Sequence, residues 1–494
     1  MFSSLSGILR ARRAWLAVAL SIVLLGAGNS LSFAATDAAV AAIEASSLHL
    51  DGRALSFFWV LPFVGTLLSI ALLPLFASRF WDEHFGKIAL FWSLAFLVPF
   101  FLAFGSAPAF YVTLHTLIEE YVPFIILLLA LFTIAGGVSV TGSLSGTPLL
   151  NLGFLGAGAI LASVMGTTGA SMLLIRPLIR AISHRRHKTH SVIFFIFIVA
   201  NAGGCLTPLG DPPLFLGFLK GVDFFWTLVH LWPQTLFLCA SLLAIHYVID
   251  AYYFRKEGKP RPESPSKISL EGKRNFLLLA GVVALVLYSG LYPSEGAIPV
   301  WADIEIAYSN LARDLGLLAL TFLSVWITDK GARRANYFTW RPIMEVAKLF
   351  GGIFVTMIPA IAILRAGSQG ALRSLISLVS GPDGAPVNAA YFWLTGALSS
   401  FLDNAPTYLV FFNTAGGDAA TLMSLFPLTL SAVSCGAVFM GANTYIGNAP
   451  NFMVRSIAAE RGIQMPSFFG YMAWSGAVLI PLFIAMTFLF YARF

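Results

Sequence analysis

The stretch Thr207-Pro-Leu-Gly-Asp-Pro-Pro213 decides the fold, because it interrupts a long apolar segment with residues ill suited to continue a helix. Pro208, Pro212 and Pro213 cannot donate backbone hydrogen bonds, and Gly210 permits strained dihedrals and close approach to a ligand. A second stretch, Thr444-Tyr-Ile-Gly-Asn-Ala-Pro450, repeats Thr, Gly, Asp or Asn, and Pro in register. Small-residue runs precede both, Asn201-Ala-Gly-Gly204 in one case and Gly441-Ala-Asn443 in the other. Just short of the same offset, Thr167-Thr-Gly-Ala-Ser171 falls opposite Asp403-Asn-Ala-Pro-Thr407. Matched elements in the same order predict an internal repeat, and a repeat sets the architecture.

The solvent around these breaks follows from composition. Of 494 residues, 58% are hydrophobic and 11% charged, against roughly 25% charged in soluble domains. A chain with 44 Phe offers more apolar surface than a soluble core of this length needs, so its partner is the lipid bilayer. The net charge of +7 does not indicate nucleic acid. The basic residues sit in short loops between apolar runs, which is a topology signal and not a single basic face. Cys205, Cys239 and Cys435 lie in apolar segments without metal-ligand spacing.

Residues 1–35 carry Arg10, Arg12 and Arg13, an apolar run and small residues at Ser32, Ala34 and Ala35. They read as a signal peptide or a first membrane helix. Spanning stretches follow at about 57–77, 88–106, 114–140, 191–219, 226–253, 276–292, 311–328, 342–365, 423–459 and 468–490. Two others, about 149–180 and 388–413, are rich in Gly, Ser, Thr and Asn near their middles and read as re-entrant hairpins. Basic loops at 184–190, 253–274 and 329–341 fall on one face, as the positive-inside rule asks of a cytoplasmic side. The loop 293–310 carries acids only, which suits the outside.

The expected fold is therefore an all-α polytopic membrane protein of two inverted-topology repeats, each with a re-entrant hairpin and a discontinuous transmembrane helix. The N-terminal repeat occupies 36–253, the C-terminal repeat 275–494, and 254–274 is a cytoplasmic linker rich in Pro and Gly. The broken helices are expected at about 191–219 and 423–459, in a bacterial-type inner membrane.

An unwound segment frees carbonyls for a cation, while the half-helix that follows offers N–H groups to an anion. Asn201, Thr207, Asn404, Asn443, Thr444 and Asn448 add neutral oxygens that suit sodium. Asp211 is the sole charge between Ser191 and Leu219, and Asp403 lies at the centre of the second hairpin. An acid at that depth is functional by default, and the two are the expected sodium ligands, although either could instead cap a helix. Thr167, Thr168, Thr407, Gly210 and Gly447 complete the expected ion or substrate site. Glu119 and Glu120 read as an interfacial pair, His184, His187 and His190 as part of a solvated loop, and Arg176 as a snorkelling side chain with Arg365 its counterpart on the opposite side.

At these motifs the chain resembles the ion-transporter superfamily of sodium/proton antiporters, arsenite efflux carriers and citrate and dicarboxylate transporters. Asn201-Ala-Gly-Gly204 with Thr207 to Asp211, Phe401-Leu-Asp-Asn-Ala-Pro406, and Gly441 to Thr444 with Gly447-Asn448 carry the resemblance, over about 57–490. It implies a homodimer with a scaffold and a moving transport domain. Asp403-Asn404 and Asp211 look like the acids of sodium/proton exchangers, and the Ser-Asn-Thr signature of carboxylate carriers is absent from both hairpin tips. The leading expectation is a sodium or lithium/proton antiporter without a resident cofactor, its cargo being sodium and protons. The alternative is a sodium- or proton-coupled carrier of citrate or another small carboxylate. An intramembrane aspartyl protease fits poorly, because proteolysis has no need of the second broken segment.

Overall fold

The computed structural model describes residues 48, 50–143, 145–260 and 266–492. The segment read as a signal peptide or first helix lies outside them. Among the described residues, ten helices are long and apolar enough to cross a membrane, from Phe57–Phe76 to Phe468–Tyr491. The all-α polytopic expectation holds. Some bounds move: the second span is a helix over Ser78–Phe104 and the last broken segment begins at Pro427, after a separate helix Ala419–Ser424 capped by Asp418.

Two hairpins and two broken helices form the centre. In the first half, helix α1 (Pro148–Met165) turns at Gly166 into α2 (Thr167–Ala181). Gly166 sits at φ +80, where a side chain would be strained. Helix α3 (Thr189–Ile198) then breaks, the chain passes through a 3-10 turn over Ala202–Leu206, and α4 (Pro212–Leu219) resumes with both prolines in its first turn. Prolines are tolerated there because first-turn N–H groups lack intrahelical partners anyway. The long helix α5 (Phe224–Lys256) follows, and α6 (Arg341–Arg365) precedes the second set. That set comprises α7 (Asn388–Phe401), α8 (Asn404–Thr414), α9 (Pro427–Met440) and α10 (Ala449–Glu460).

Burial separates these elements from the rest. In the first broken segment, 89% of the span Thr189–Leu206 is buried, against 22% of the apolar 18-residue stretch within Ser78–Phe104. Unwound backbone at membrane depth needs protein around it, and lipid-facing helices do not. The halves interlock: α2 packs on α10 of the other half, and α4 packs on α8.

The edges hold two short sheets. Strand β1 (Ser139–Ser143) pairs antiparallel with β2 (Ser266–Glu271), so part of the expected linker is an ordered strand tied to the approach to the first hairpin. Strands β3 (Ala297–Trp301) and β4 (Ile304–Ala307) form a hairpin in the acidic loop, where Tyr111 donates to Asp303 at 2.7 Å.

The histidine loop departs from its solvated reading. Arg185 and His190 are buried, with Arg185 Nη1 2.6 Å and His190 Nε2 2.8 Å from Asp250 Oδ1. Asn151 Nδ2 donates to Asp250 Oδ2 at 2.9 Å, so the cluster joins the hairpin base, α3 and α5. Sequence spacing cannot reveal that a short basic loop folds under a distant acid. His187 stays half in solvent, 2.7 Å from Glu257. Burial pushes the Glu257 carboxyl up, but hydrogen bonds from the His187 backbone and ring and the Arg186 backbone outweigh it and leave the carboxyl below its ordinary value. Glu119 and Glu120 are each engaged, with His115 and Lys220 respectively.

Candidate ion and substrate site

The same local chemistry builds both breaks. Thr207 Oγ1 donates to Ser163 O and accepts from Leu209 N at 3.2 Å. The offset that carries Thr207 to Thr444 carries Ser163 to Ser400 and Leu209 to Ile446, and the bonds recur: Thr444 Oγ1 to Ser400 O at 2.5 Å, Ile446 N to Thr444 Oγ1 at 3.2 Å. Ser163 Oγ reaches Gly203 O at 2.5 Å, and Ser400 Oγ reaches the equivalent Met440 O at 3.1 Å. A Cβ on Gly210 would stand 2.1 Å from Gly204 O, and one on Gly447 2.5 Å from Gly441 O. Each break therefore needs its glycine for backbone to cross backbone.

This register moves one pairing. Asp403 corresponds to Gly166, and Asn404 to Thr167, one residue from the alignment expected at the hairpin tips. The turns also differ in chemistry. Gly166 turns through a positive φ, whereas Asp403 caps α8 by accepting from Ala405 N at 3.1 Å.

Asp211 is where the four half-helices start. It is the residue before α4, and Oδ1 accepts from Thr167 Oγ1, at the start of α2, at 2.9 Å. Oδ2 accepts from Asn404 Nδ2 at the start of α8, and Oδ1 from Asn448 Nδ2, before α10, at 3.3 Å. The side chain is buried, and each helix start adds a partial positive charge beside it. Among the described residues, no Lys, Arg or His is hydrogen-bonded to it. Neutral dipoles alone hold this carboxylate, so a cation can join it without displacing a fixed ion pair.

Other expected residues are brought in at one remove. Asn448 Nδ2 also donates to Asn201 Oδ1 at 3.2 Å and Ala200 O at 3.1 Å, and Asn201 Nδ2 donates to Asn451 Oδ1 at 2.7 Å. These bonds cross-link the two breaks. Asn451 was not expected; its amide also closes on Gly441 O and Thr444 O at 2.8 and 2.9 Å. Its signal was a polar side chain directly after Pro450 in an apolar segment. Asn443 donates to Ser400 Oγ at 2.9 Å, and Thr407 donates to Asp403 O at 3.0 Å. Thr168 is half-buried and makes no side-chain hydrogen bond among the described residues. Thr207, Thr444, Gly210 and Gly447 shape the breaks and do not bond Asp211.

Asn404 Oδ1 and Asn443 Oδ1 are shut off from solvent without a donor among the described residues. Orphaned buried carbonyls are rare in native proteins, and that of Asn404, whose Nδ2 reaches Asp211, is an oxygen of the kind that suits a hard cation. A cavity of about 570 Å³ opens on the side of Arg53, His115, Glu119, Glu120, Lys220 and Arg365. It lies at the far end of α4 from Asp211, about 12 Å along the helix axis at 1.5 Å per residue.

Broken helices, interlocked hairpins and an acid among neutral donors, in a chain with ten membrane-length helices among its described residues, are the build of a multi-pass membrane transport protein. The chain belongs to the family described as "Putative citrate transport", whose model matches residues 52–491. No curated protein matches it.

Proposed function

We propose that the protein is a cation-coupled carrier of a small carboxylate of the citrate kind, working by alternating access from an inner membrane. Asp211 and Asp403 take the coupling sodium or proton, and the four helix starts face the carboxylate. The observation that carries this reading is the composition of the site: two acids, neutral amides and hydroxyls, and no fixed cation bonded to Asp211. A polycarboxylate brought beside two carboxylates is repelled unless protons or cations arrive with it, so anion flux is tied to cation flux. The family's description supports the carboxylate as cargo. A homodimer with one moving domain per subunit belongs to the same proposal.

A second reading, sodium or lithium/proton exchange without an organic substrate, rests on the same absence of a fixed cation at Asp211. Proteoliposomes separate the two. Labelled citrate accumulating under an imposed sodium or proton gradient supports the first. Sodium-driven proton movement with no citrate uptake supports the second and refutes the first.

A further inference from the structure

Resting on the carboxylate-carrier reading, we infer that the substrate is met by one arginine at each mouth of its path, Arg365 outside and Arg176 inside. Both lie away from the central site, and neither forms an ion pair among the described residues.

The repeat places them. Position 176 on α2 corresponds to Asn413 on α8, under the offset that relates the two breaks. In the first half the position is itself an arginine. In the second it is Asn413, whose Oδ1 accepts from Arg365 Nε, a side chain reaching over from α6, at 2.8 Å. A guanidinium thus stands at equivalent places along the two interlocked pairs, supplied once from within the pair and once from outside it. From Thr167 to Arg176, and from Asn404 to Asn413, the helix climbs about 13 Å at 1.5 Å per residue. Each arginine is one membrane leaflet from Asp211, on opposite faces.

The surroundings suit an oxyanion at both ends. Arg365 is exposed and lines the 570 Å³ cavity beside Arg53 and Lys220. There Glu120 engages Lys220 and Asp51 engages Arg53 at 3.0 Å, while the partner of Arg365 among the described residues is the neutral Asn413. Arg176 lies over the ring of Tyr337, 5.0 Å from its centroid, and Arg461 covers the same ring at 5.5 Å. Arg176 Nη1 is closed to solvent and has no acceptor among the described residues. Glu460 acts on Arg176 only through its field, as do Arg461 and Arg180. Two guanidinium groups converging on one ring, one with an orphan N–H, make an anion subsite for a carboxylate. An anionic lipid headgroup offers the same chemistry; the solute is favoured because the equivalent outer arginine opens into a cavity.

The test is sided uptake of labelled citrate by wild type, Arg365→Gln and Arg176→Gln in right-side-out and everted membrane vesicles. Losing one charge-assisted contact should raise KM roughly tenfold or more. The expected pattern is a KM rise for Arg365→Gln in right-side-out vesicles only and for Arg176→Gln in everted vesicles only, with Arg→Lys variants intermediate. Unchanged KM in both orientations, or an equal rise in both, overturns the inference. So does an Arg176→Gln effect that disappears in proteoliposomes of phosphatidylcholine alone and returns with phosphatidylglycerol, which assigns the site to lipid. If Arg176→Gln fails to accumulate, Arg176→Lys carries the inner arm by the same criterion. Absence of citrate uptake by wild type is a different result, and refutes the carrier reading itself.

Discussion

Replacing Asp211 by Asn should leave the fold intact and abolish the coupling. The carboxylate accepts from Thr167, Asn404 and Asn448. An amide can keep its oxygen toward Thr167 and Asn448 and turn its NH2 toward Asn404. Asn404 can answer by rotating its own amide, because its Oδ1 has no donor to lose. The structural cost is then the difference between charge-assisted and neutral hydrogen bonds, about 1–2 kcal/mol. For a cation about 3 Å from the acid at an effective dielectric near 20, the lost attraction is about 5 kcal/mol, or several thousandfold in affinity. Even half of that weakens cation binding about seventyfold. Asp211→Asn should therefore enter the membrane and unfold within a few degrees of wild type. In proteoliposomes, citrate uptake should lose its response to sodium and proton gradients. Wild-type gradient dependence in Asp211→Asn would refute the assignment, however the fold behaves.

Asp403 separates capping from charge. Asp403→Asn keeps an acceptor for Ala405 N and should change stability little, while Asp403→Ala should cost about 1 kcal/mol by thermal or chemical unfolding; both should weaken coupled uptake, and full uptake in both would limit Asp403 to its cap. Gly210→Ala and Gly447→Ala each drive a methyl into a backbone carbonyl, at 2.1 and 2.5 Å, so both should lose monodisperse protein on size exclusion, and normal folding would contradict the crossing geometry. Glu257→Gln should increase hydrogen exchange in 184–188 at neutral pH. Because the folded Glu257 carboxyl lies below its ordinary value of 4.5, its stabilisation is present above that value and fades as pH falls through the folded value, so mutant and wild type should converge in acid.

The breaks were legible because part of their chemistry is local: Thr207 and Thr444 each accept from an N–H two residues on, and Pro213 and Pro450 each lie in the first turn of the half-helix that follows. What proved unreadable depends on contacts far apart in sequence. The bond from Asn201 to Asn451 spans 250 positions, and that from Asn404 to Asp211 spans 193. Polar residues in apolar segments announce that partners exist, without saying which. At the hairpin tips the sequence pattern runs one residue out of the structural register because Gly166 and Asp403 perform the same turn by unrelated means. Likewise, nothing around Arg185 or His190 points to Asp250, which enters from the end of another helix.

The exchange of partners between halves, α2 on α10 and α4 on α8, bears on how such a chain could have arisen and how it could be taken apart. Neither half closes its own share of the centre, since Asp211 draws Asn404 and Asn448 from the other. An ancestor with a single half would have worked only as a pair of identical chains, with any acid duplicated across the pair. In the present chain one acid lies on the broken helix of one half and the other on the hairpin of its twin. A gene split between Pro260 and Ser266 should accordingly yield two fragments that are degraded when made singly and rescue each other when made together.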